Sequence, residues 1–181
     1  AQKLTVQLHD LAVALAAEPE LDEGLYLCLD AALHVADMDL GGVYLFDDSG
    51  GLHLQVHKYL TDEFVEEAKF YEPGAPHVKM IAAGVPIYSN GSAEGPVKES
   101  TMRAGVKGIA ILPFSHAGDV IGCLNVASKG LAEVPASSRH ALEAVAAQIG
   151  SAIARLRTAE ALRKSEEKYR ELVENARTII I

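Results

Sequence analysis

Two hairpin patterns constrain the fold of this chain more than any other feature of its sequence. The first joins residues 41–46 to residues 52–57 through the turn-forming run DDSGG at 47–51. Residues 52–57 alternate apolar and polar side chains, which is the period of a half-buried strand. The second pattern joins residues 108–114 to residues 120–127 through the short turn sequence HAGD. Together they predict an antiparallel sheet.

Helical periodicity flanks both hairpins. Residues 4–17 and 21–36 carry apolar side chains three and four positions apart, and the sequence EPE separates the two predicted helices. Pro135 suits the first position of a further helix, because its missing N–H costs nothing there. After it, Gly150 is the only weak point before the end of the sequence. These patterns predict helices on both sides of the sheet-forming part of the chain.

The segment between the hairpins is less regular. Residues 62–70 favour a helix, residues 84–88 a short strand and residues 97–104 another short helix, but residues 71–96 contain four prolines. An irregular segment of roughly 35 residues is usually a lid or a binding loop, so a pocket is expected there. The order of elements predicts an α+β domain, with an antiparallel sheet, helices gathered on one face and a long C-terminal helix.

Composition and charge exclude several classes of function. The 181 residues suffice for one well-cored domain with an extension. The net charge of −9 disfavours binding to nucleic acid or to an anionic membrane surface. Residues 155–181 hold seven basic and five acidic side chains, whereas residues 1–154 hold nine basic and 20 acidic ones. No signal peptide and no apolar run of about 20 residues occurs, so we expect a cytoplasmic protein.

The reactive side chains do not form a catalytic or metal-binding pattern. Cys28 and Cys123 have apolar neighbours, which favours buried thiols over a disulfide or nucleophiles. His53 and His57 would lie about 13 Å apart on a strand, too far to bind one metal ion. We therefore expect this chain to have neither an enzymatic activity nor a metal site.

Parts of the sequence resemble the GAF domain family between about Leu25 and Leu156. The stretches that carry the resemblance are GVYLFD at 42–47, AGVKGIAILPF at 104–114 and GDVIGCLNVAS at 118–128. The resemblance implies a ligand pocket on the sheet face opposite the terminal helices, roofed by the irregular segment. By position the candidate ligand-binding residues are His77, Met80, Ile81, Tyr88, Asn90, Met102, Arg103 and Asn125.

Two candidates have a stated chemical role. Arg103 could pair with an anionic ligand, or it could be a solvated charge at a helix end. Asn125 interrupts an apolar strand and must be hydrogen-bonded, either to a ligand or to the backbone. The chain departs from family members of known chemistry. It has no Cys-His pair for a bilin, no redox cysteine cluster, and SKGLAE at 128–133 where cyclic-nucleotide binders carry their signature. The ligand or cofactor is therefore unknown.

The C-terminal residues resemble the approach to a PAS domain. LRKSEEKYRELVENA at 162–176 is similar to its lead-in helix, and TIII at 178–181 would begin its first strand. The resemblance implies a multidomain sensor such as a histidine kinase. It divides the chain into an N-terminal helix (1–20), a GAF-like domain (21–156), a helical linker (157–176) and the start of a PAS-like domain (177–181).

The last helix has the spacing of a coiled coil, with apolar side chains at 142, 145, 149, 152, 156 and 159. Continuing this spacing would place residues 163 and 166 in the apolar stripe. The stripe is instead continued one residue earlier, by Leu162, Tyr169 and Ala176, so its register shifts near 159–162. We expect a parallel homodimer through the N- and C-terminal helices, the alternative being a frayed helix. The predicted function is that of a sensor that binds a small ligand non-covalently and relays the binding signal through the dimeric helix to a PAS or kinase output. The alternative is a ligand-free module for dimerisation and spacing.

Overall fold

The computed structural model describes residues 2–17, 20–90 and 103–180. Eleven elements follow one another in this part of the chain. The helices are α1 (Gln2–Ala17), α2 (Leu21–Val35), α3 (Asp62–Ala68), α4 (Pro76–Ala82) and α5 (Ala136–Ile180). The strands are β1 (Leu40–Phe46), β2 (Leu52–Lys58), β3 (Phe70–Tyr71), β4 (Ile87–Ser89), β5 (Gly108–His116) and β6 (Asp119–Ser128).

The six strands form one sheet in the order β3-β2-β1-β6-β5-β4, and every neighbouring pair is antiparallel. The two predicted hairpins are β1–β2 and β5–β6, and they join through the pairing of β1 with β6. In this register Asn125 on β6 lies between Gly42 on β1 and Ile111 on β5. The predicted α+β fold is confirmed, and Asn125 lies at the centre of the sheet.

One face of the sheet packs against α1, α2 and α5. Apolar side chains of four strands meet apolar side chains of the helices in one continuous core. Its largest buried members include Leu15, Leu25, Leu29, Leu112, Leu124, Leu142, Ile149 and Ile153. Burying each such side chain contributes about 1.5–3 kcal/mol, so this helix-covered face supplies most of the hydrophobic stabilisation.

Gly150 is the weak point of α5 by helix propensity, yet the packing requires it. A Cβ at this position would lie 2.7 Å from the backbone carbonyl oxygen of Ser115 on β5. The helix therefore approaches the sheet closely enough to exclude any side chain there. Close packing of α5 on β5 explains why a helix-weakening residue occurs in an otherwise uninterrupted helix.

The long helix leaves the domain just after Leu156, which is its last buried residue among those described. From Arg157 to Ile179 every side chain is exposed except that of Val173, which is half-buried. At the point of departure the Arg155 guanidinium donates a 2.6 Å hydrogen bond to the carbonyl oxygen of Leu15 at the end of α1. Carbonyls in the last turn of a helix lack intrahelical donors, so Arg155 fastens the C-terminus of α1 to α5.

Two sequence predictions differ from the structure. Residues 71–96 were expected to be irregular, but they contain α4, which Pro76 opens from its first turn and which buries Val78 and Ile81. Thr178–Ile180 were expected to begin a strand, but they continue α5, because no neighbouring strand lies beside them among the described residues. The predicted helix at 97–104 lies almost entirely outside the described residues. The division into domains stays a prediction.

Among the described helices, none combines the length and the hydropathy needed to cross a bilayer.

Candidate ligand-binding site

A cavity of about 140 Å³ lies on the sheet face opposite α1, α2 and α5. Strands β1, β5 and β6 form its floor, and the connection from β2 to α3 forms one wall. Its lining among the described residues is mainly apolar and aromatic: Leu40, Gly41, Gly42, Tyr44, Tyr59, Leu60, Thr61, Phe64, Tyr71, Ala104, Val106, Ile109, Ile111, Asn125, Val126, Ala127 and Lys129. An apolar concave site with few polar groups is the usual form of a small-molecule pocket.

The wall between β2 and α3 is held in a specific conformation. Tyr59 has a φ of +62°, a left-handed backbone that bulky residues rarely adopt, and its side chain is 71% exposed at the cavity. Two residues later the Thr61 hydroxyl accepts a 3.2 Å hydrogen bond from the backbone N–H of Phe64 and so caps α3. The cap fixes where α3 starts, and this places the Phe64 ring in the wall.

Asn125 supplies the buried polar group of the cavity floor. Its Oδ1 atom is buried and has no hydrogen-bond partner among the described residues. A buried acceptor without a partner costs about 1–3 kcal/mol, because it has lost water and gained nothing in exchange. The carbonyl oxygen is therefore a site where a hydrogen-bond donor in the cavity would be favoured.

Two tyrosines and a histidine form an aromatic layer beside the cavity. The ring centroids of Tyr44 and Tyr71 are 5.9 Å apart, and the ring of His77 meets Tyr71 edge-on at 3.9 Å. The two hydroxyls share a hydrogen bond, and burial raises the pKa of Tyr71 to about 12 and that of Tyr44 further. Both phenols are neutral at physiological pH, so the two tyrosines offer aromatic surface and no charge.

The charged groups at the cavity are distributed unevenly. Lys129 lines the cavity, and no described ion pair involves its ammonium group, while its backbone N–H donates to Asp39 Oδ2 at 2.6 Å. Arg103 is exposed and lies beside two carboxylates of α3, 3.4 Å from Glu67 and 3.7 Å from Glu63. Arg103 is thus already neutralised, and Lys129 is the basic group available to an anion among the described lining residues.

The structure brings only part of the predicted set to the cavity. Asn125 lines the cavity. His77 does not line it but contacts the ring of the lining residue Tyr71. Arg103 precedes the lining residue Ala104, but its guanidinium forms ion pairs with carboxylates of α3. Of the α4 candidates, Ile81 is buried in the small core that includes Tyr44, and Met80 is exposed; neither is among the lining residues. Met102 lies outside the described residues.

Tyr88 and Asn90 lie away from the cavity, contrary to expectation. Tyr88 pairs with Ala110, whose side chain is in the helix-covered core, so Tyr88 points to α5. Its hydroxyl donates a 2.7 Å hydrogen bond to Glu143, and the guanidinium of Arg139 lies 4.5 Å from the centre of its ring. Asn90 is exposed beside the same surface, in a shallow hollow that also includes Arg139.

Sequence reasoning missed the aromatic lining, Tyr44, Tyr59, Phe64 and Tyr71. Alternation along β1 could have placed Tyr44 on the same face as Asn125, since the two strands are neighbours. The other three rings come from residues 59–71, which a single sequence does not position relative to the sheet. Among the described residues no group of three His, Cys, Asp or Glu side chains could hold a metal ion.

A GAF domain model matches residues 18–154, which is most of the chain. The chain belongs to the GAF domain family. No curated protein matches it. Among solved structures, this GAF domain resembles that of a phosphoenolpyruvate-protein phosphotransferase from Coxiella burnetii, with 17% identity, a TM-score of 0.73 and coverage of 87% of this chain and 96% of that one.

Two further structures have the same fold. A domain assigned to a two-component sensor histidine kinase of Sinorhizobium meliloti is 19% identical, with a TM-score of 0.68 over 80% of this chain and 97% of that one. Free methionine-R-sulfoxide reductase from Neisseria meningitidis is 17% identical, with a TM-score of 0.71 over 88% and 95%. At this level of identity the likeness shows a shared GAF fold.

Proposed function

We propose that this GAF domain is a cytoplasmic sensor that binds a small molecule non-covalently in the sheet-face cavity and relays binding through α5 to a PAS or kinase output. The observation that carries the proposal is the cavity itself, an apolar and aromatic pocket with the Oδ1 atom of Asn125 buried in its floor. The sensor kinase domain of S. meliloti, which shares the fold, supports the same role.

The cysteines favour non-covalent binding over catalysis. Cys28 lies in the helix-covered core, and Cys123 is buried on the other face of the sheet without lining the cavity. Burial raises the pKa of the Cys28 thiol to about 12 and that of Cys123 higher still. Since the thiolate is the reactive form, neither thiol is a nucleophile near neutral pH. The reductase that shares this fold is therefore a weak functional guide for this chain.

The sheet offers a short route from the cavity to α5. On β5, Ile111 lines the cavity while the next residue, Leu112, packs in the core that includes α5. On β6, Asn125 lines the cavity while its neighbour Leu124 packs in the same core. If strands β5 and β6 have two arrangements, a ligand that binds one of them more tightly favours that arrangement. Because α5 packs on these strands, its position changes with them.

Thermal denaturation with panels of nucleotides, amino acids, small carboxylates and haem tests ligand binding. We expect at least one compound to raise the Tm as its concentration increases, because it binds only the folded state. The control is Ile111→Phe, which places a larger ring in the cavity and should abolish the rise. A panel without any stabilising compound would favour the structural alternative.

We further propose that α5 supports a homodimer, together with the N-terminal helix. Beyond Leu156 exposed apolar side chains recur at coiled-coil spacing: Leu162, Tyr169, Leu172 and Ile179 are 60%, 71%, 61% and 83% exposed. Val6 and Val13 on α1 are also exposed, seven residues apart. A repeated apolar stripe of this kind is typical of a helix that another apolar surface covers.

Light scattering after size exclusion tests the dimer in the full chain. We expect a dimeric mass for the native sequence and a monomeric mass for Tyr169→Gln/Leu172→Gln. The matched control, Glu167→Gln/Glu174→Gln, introduces the same residues on the opposite side of α5 and should remain dimeric. A monomeric native chain would reject the dimer.

A further inference from the structure

We infer that the cavity takes a compact aromatic acid, a planar molecule of one or two rings with one ring N–H or O–H donor and one carboxylate. This inference rests on the proposed function, since it names the ligand class of the same cavity. Four properties of the described lining lead to it: its volume, its aromatic side chains, the chemistry of Asn125 and the balance of charge around Lys129.

The volume limits the size of the ligand. A site for one water molecule occupies about 10–15 Å³ on the same scale, so a cavity of about 140 Å³ holds on the order of ten non-hydrogen atoms. One or two fused rings with a small substituent fill such a space. Haem and a bilin are several times too large for this volume, and a nucleotide is about twice too large.

The lining defines the body of the ligand. Four of its side chains are aromatic, namely Tyr44, Tyr59, Phe64 and Tyr71, and most of the others are aliphatic. Ring faces and edges attract other rings in offset or edge-on contact. A planar aromatic body gains these contacts, whereas a sugar or an amino acid backbone would lose its hydration without replacement.

Asn125 specifies the polar group on that body. Its buried Oδ1 atom accepts hydrogen bonds and has no described partner, so it favours a donor and repels another lone pair. The hydroxyls of Tyr44 and Tyr71 already bond to each other. An N–H or O–H on the ring is thus the group that satisfies the floor of the cavity.

The charge at the cavity fits a single carboxylate. Lys129 is the basic side chain of the described lining, and Arg103 is engaged by Glu63 and Glu67. Asp39 is likewise occupied, since it accepts from the backbone N–H of Lys129 and from the hydroxyl of Ser128. One ammonium group offsets one negative charge, while the carboxylates of α3 disfavour a phosphate with two.

Isothermal titration of the full chain with indole-3-carboxylate tests the class. We expect binding to be about tenfold weaker for 1-benzofuran-3-carboxylate, which has nearly the same shape but presents a ring oxygen in place of the N–H. In Asn125→Ala, which has room for both compounds, the preference should disappear. We also expect indole-3-carboxamide to bind more weakly than the acid, and this difference should be lost in Lys129→Gln.

Equal affinity for the indole and the benzofuran, or no binding of either, would overturn the inference. A preference that persists in Asn125→Ala would overturn the role of Asn125. These results leave the proposed function standing if another compound still raises the Tm of the native chain and not of Ile111→Phe. If no compound of any class does so, the proposed function fails as well.

Discussion

At the scale of single residues, Asn125 differs from the other polar groups of its strand. Ser128, three residues along β6, is also buried, but its oxygen accepts from the backbone N–H groups of Gly130 and Leu131 and donates to Asp39. The Oδ1 atom of Asn125 has no such partner among the described residues. A buried group that weakens the fold without a structural benefit is typical of a site retained for binding.

The substitution Asn125→Leu should therefore stabilise the protein in the absence of ligand. Removing a buried acceptor without a partner should raise the free energy of unfolding by about 1 kcal/mol, measured by urea denaturation. Ser128→Ala is the matched control and should lower it by about 1 kcal/mol, because it leaves backbone donors without their acceptor. A loss of stability in Asn125→Leu would mean that the amide is structural.

Asp47 predicts a pH dependence of stability. Hydrogen bonds from the Ser49 hydroxyl, from His53 and from the backbone of Gly51 lower its pKa well below the usual 3.8. A carboxyl whose folded pKa is lowered stabilises the fold above its unfolded pKa, and this contribution is lost as the pH falls through the folded value. We expect Asp47→Asn to lower the urea midpoint at pH 7, with a smaller difference from the native chain at pH 3. A constant difference would exclude this role.

At the scale of elements, the spacing of apolar residues predicted the helices and hairpins that local sequence determines. The hairpins β1–β2 and β5–β6 and the helices α1, α2 and α5 were confirmed to within a few residues. Helix α4 was missed because prolines at 73, 76 and 86 suggested a loop, whereas Pro76 opens the helix. Local patterns therefore predict the frame of the sheet better than the short elements between the two hairpins.

The candidate site was harder to predict than the fold. Asn125 was identified because it breaks an apolar strand, a signal that needs no tertiary information. Tyr88 was a candidate by its position in the chain alone, and only the pairing of β4 with β5 shows that its side chain faces α5. The carboxylates that occupy Arg103 lie on α3, more than thirty residues away in the chain, and only the folded structure brings them together.

Tyr88 links the short edge strand β4 to α5. In Tyr88→Phe the hydrogen bond to Glu143 is lost, and we expect the free energy of unfolding to fall by about 0.5–1.5 kcal/mol. Ligand affinity should not change, because Tyr88 is not among the lining residues. Tyr169→Phe removes an equivalent hydroxyl from the exposed part of α5 and should have no effect. A weaker affinity in Tyr88→Phe would indicate that this contact transmits binding.

At the scale of the whole molecule, the chain has an acidic domain and an exposed helical extension. The sheet and its helices bury their apolar residues by Leu156, and the core does not include the residues that follow. The extension carries most of the exposed apolar stripe on α5, as well as a small excess of basic side chains. Folding is therefore expected to depend on the domain, and association mainly on the extension, with Val6 and Val13 of α1 as a smaller second contact.

A chain that ends at Glu160 should separate these two properties. We expect it to unfold cooperatively, since it keeps every core residue, with a Tm that depends on protein concentration far less than that of the full chain, since it loses the exposed stripe of α5. The Tm of the full chain should rise with concentration, as association linked to folding requires. Circular dichroism melts over a hundredfold range of concentration measure both. If the Tm of the shorter chain depended on concentration as strongly as that of the full chain, the main dimer contacts would lie within the domain.

If α5 tilts when the cavity is occupied, as proposed, its exposed part would act as a lever. Residues 157–180 span about 36 Å at 1.5 Å per residue. Helix and sheet layers pack about 10 Å apart, so a relative shift of about 1 Å between α5 and the strands corresponds to a tilt of about 6°. Over the length of the lever that tilt moves the far end by about 4 Å, which is close to the roughly 3.8 Å spacing of consecutive Cα atoms. A displacement too small to open the cavity could thus change the register of whatever is attached to this helix.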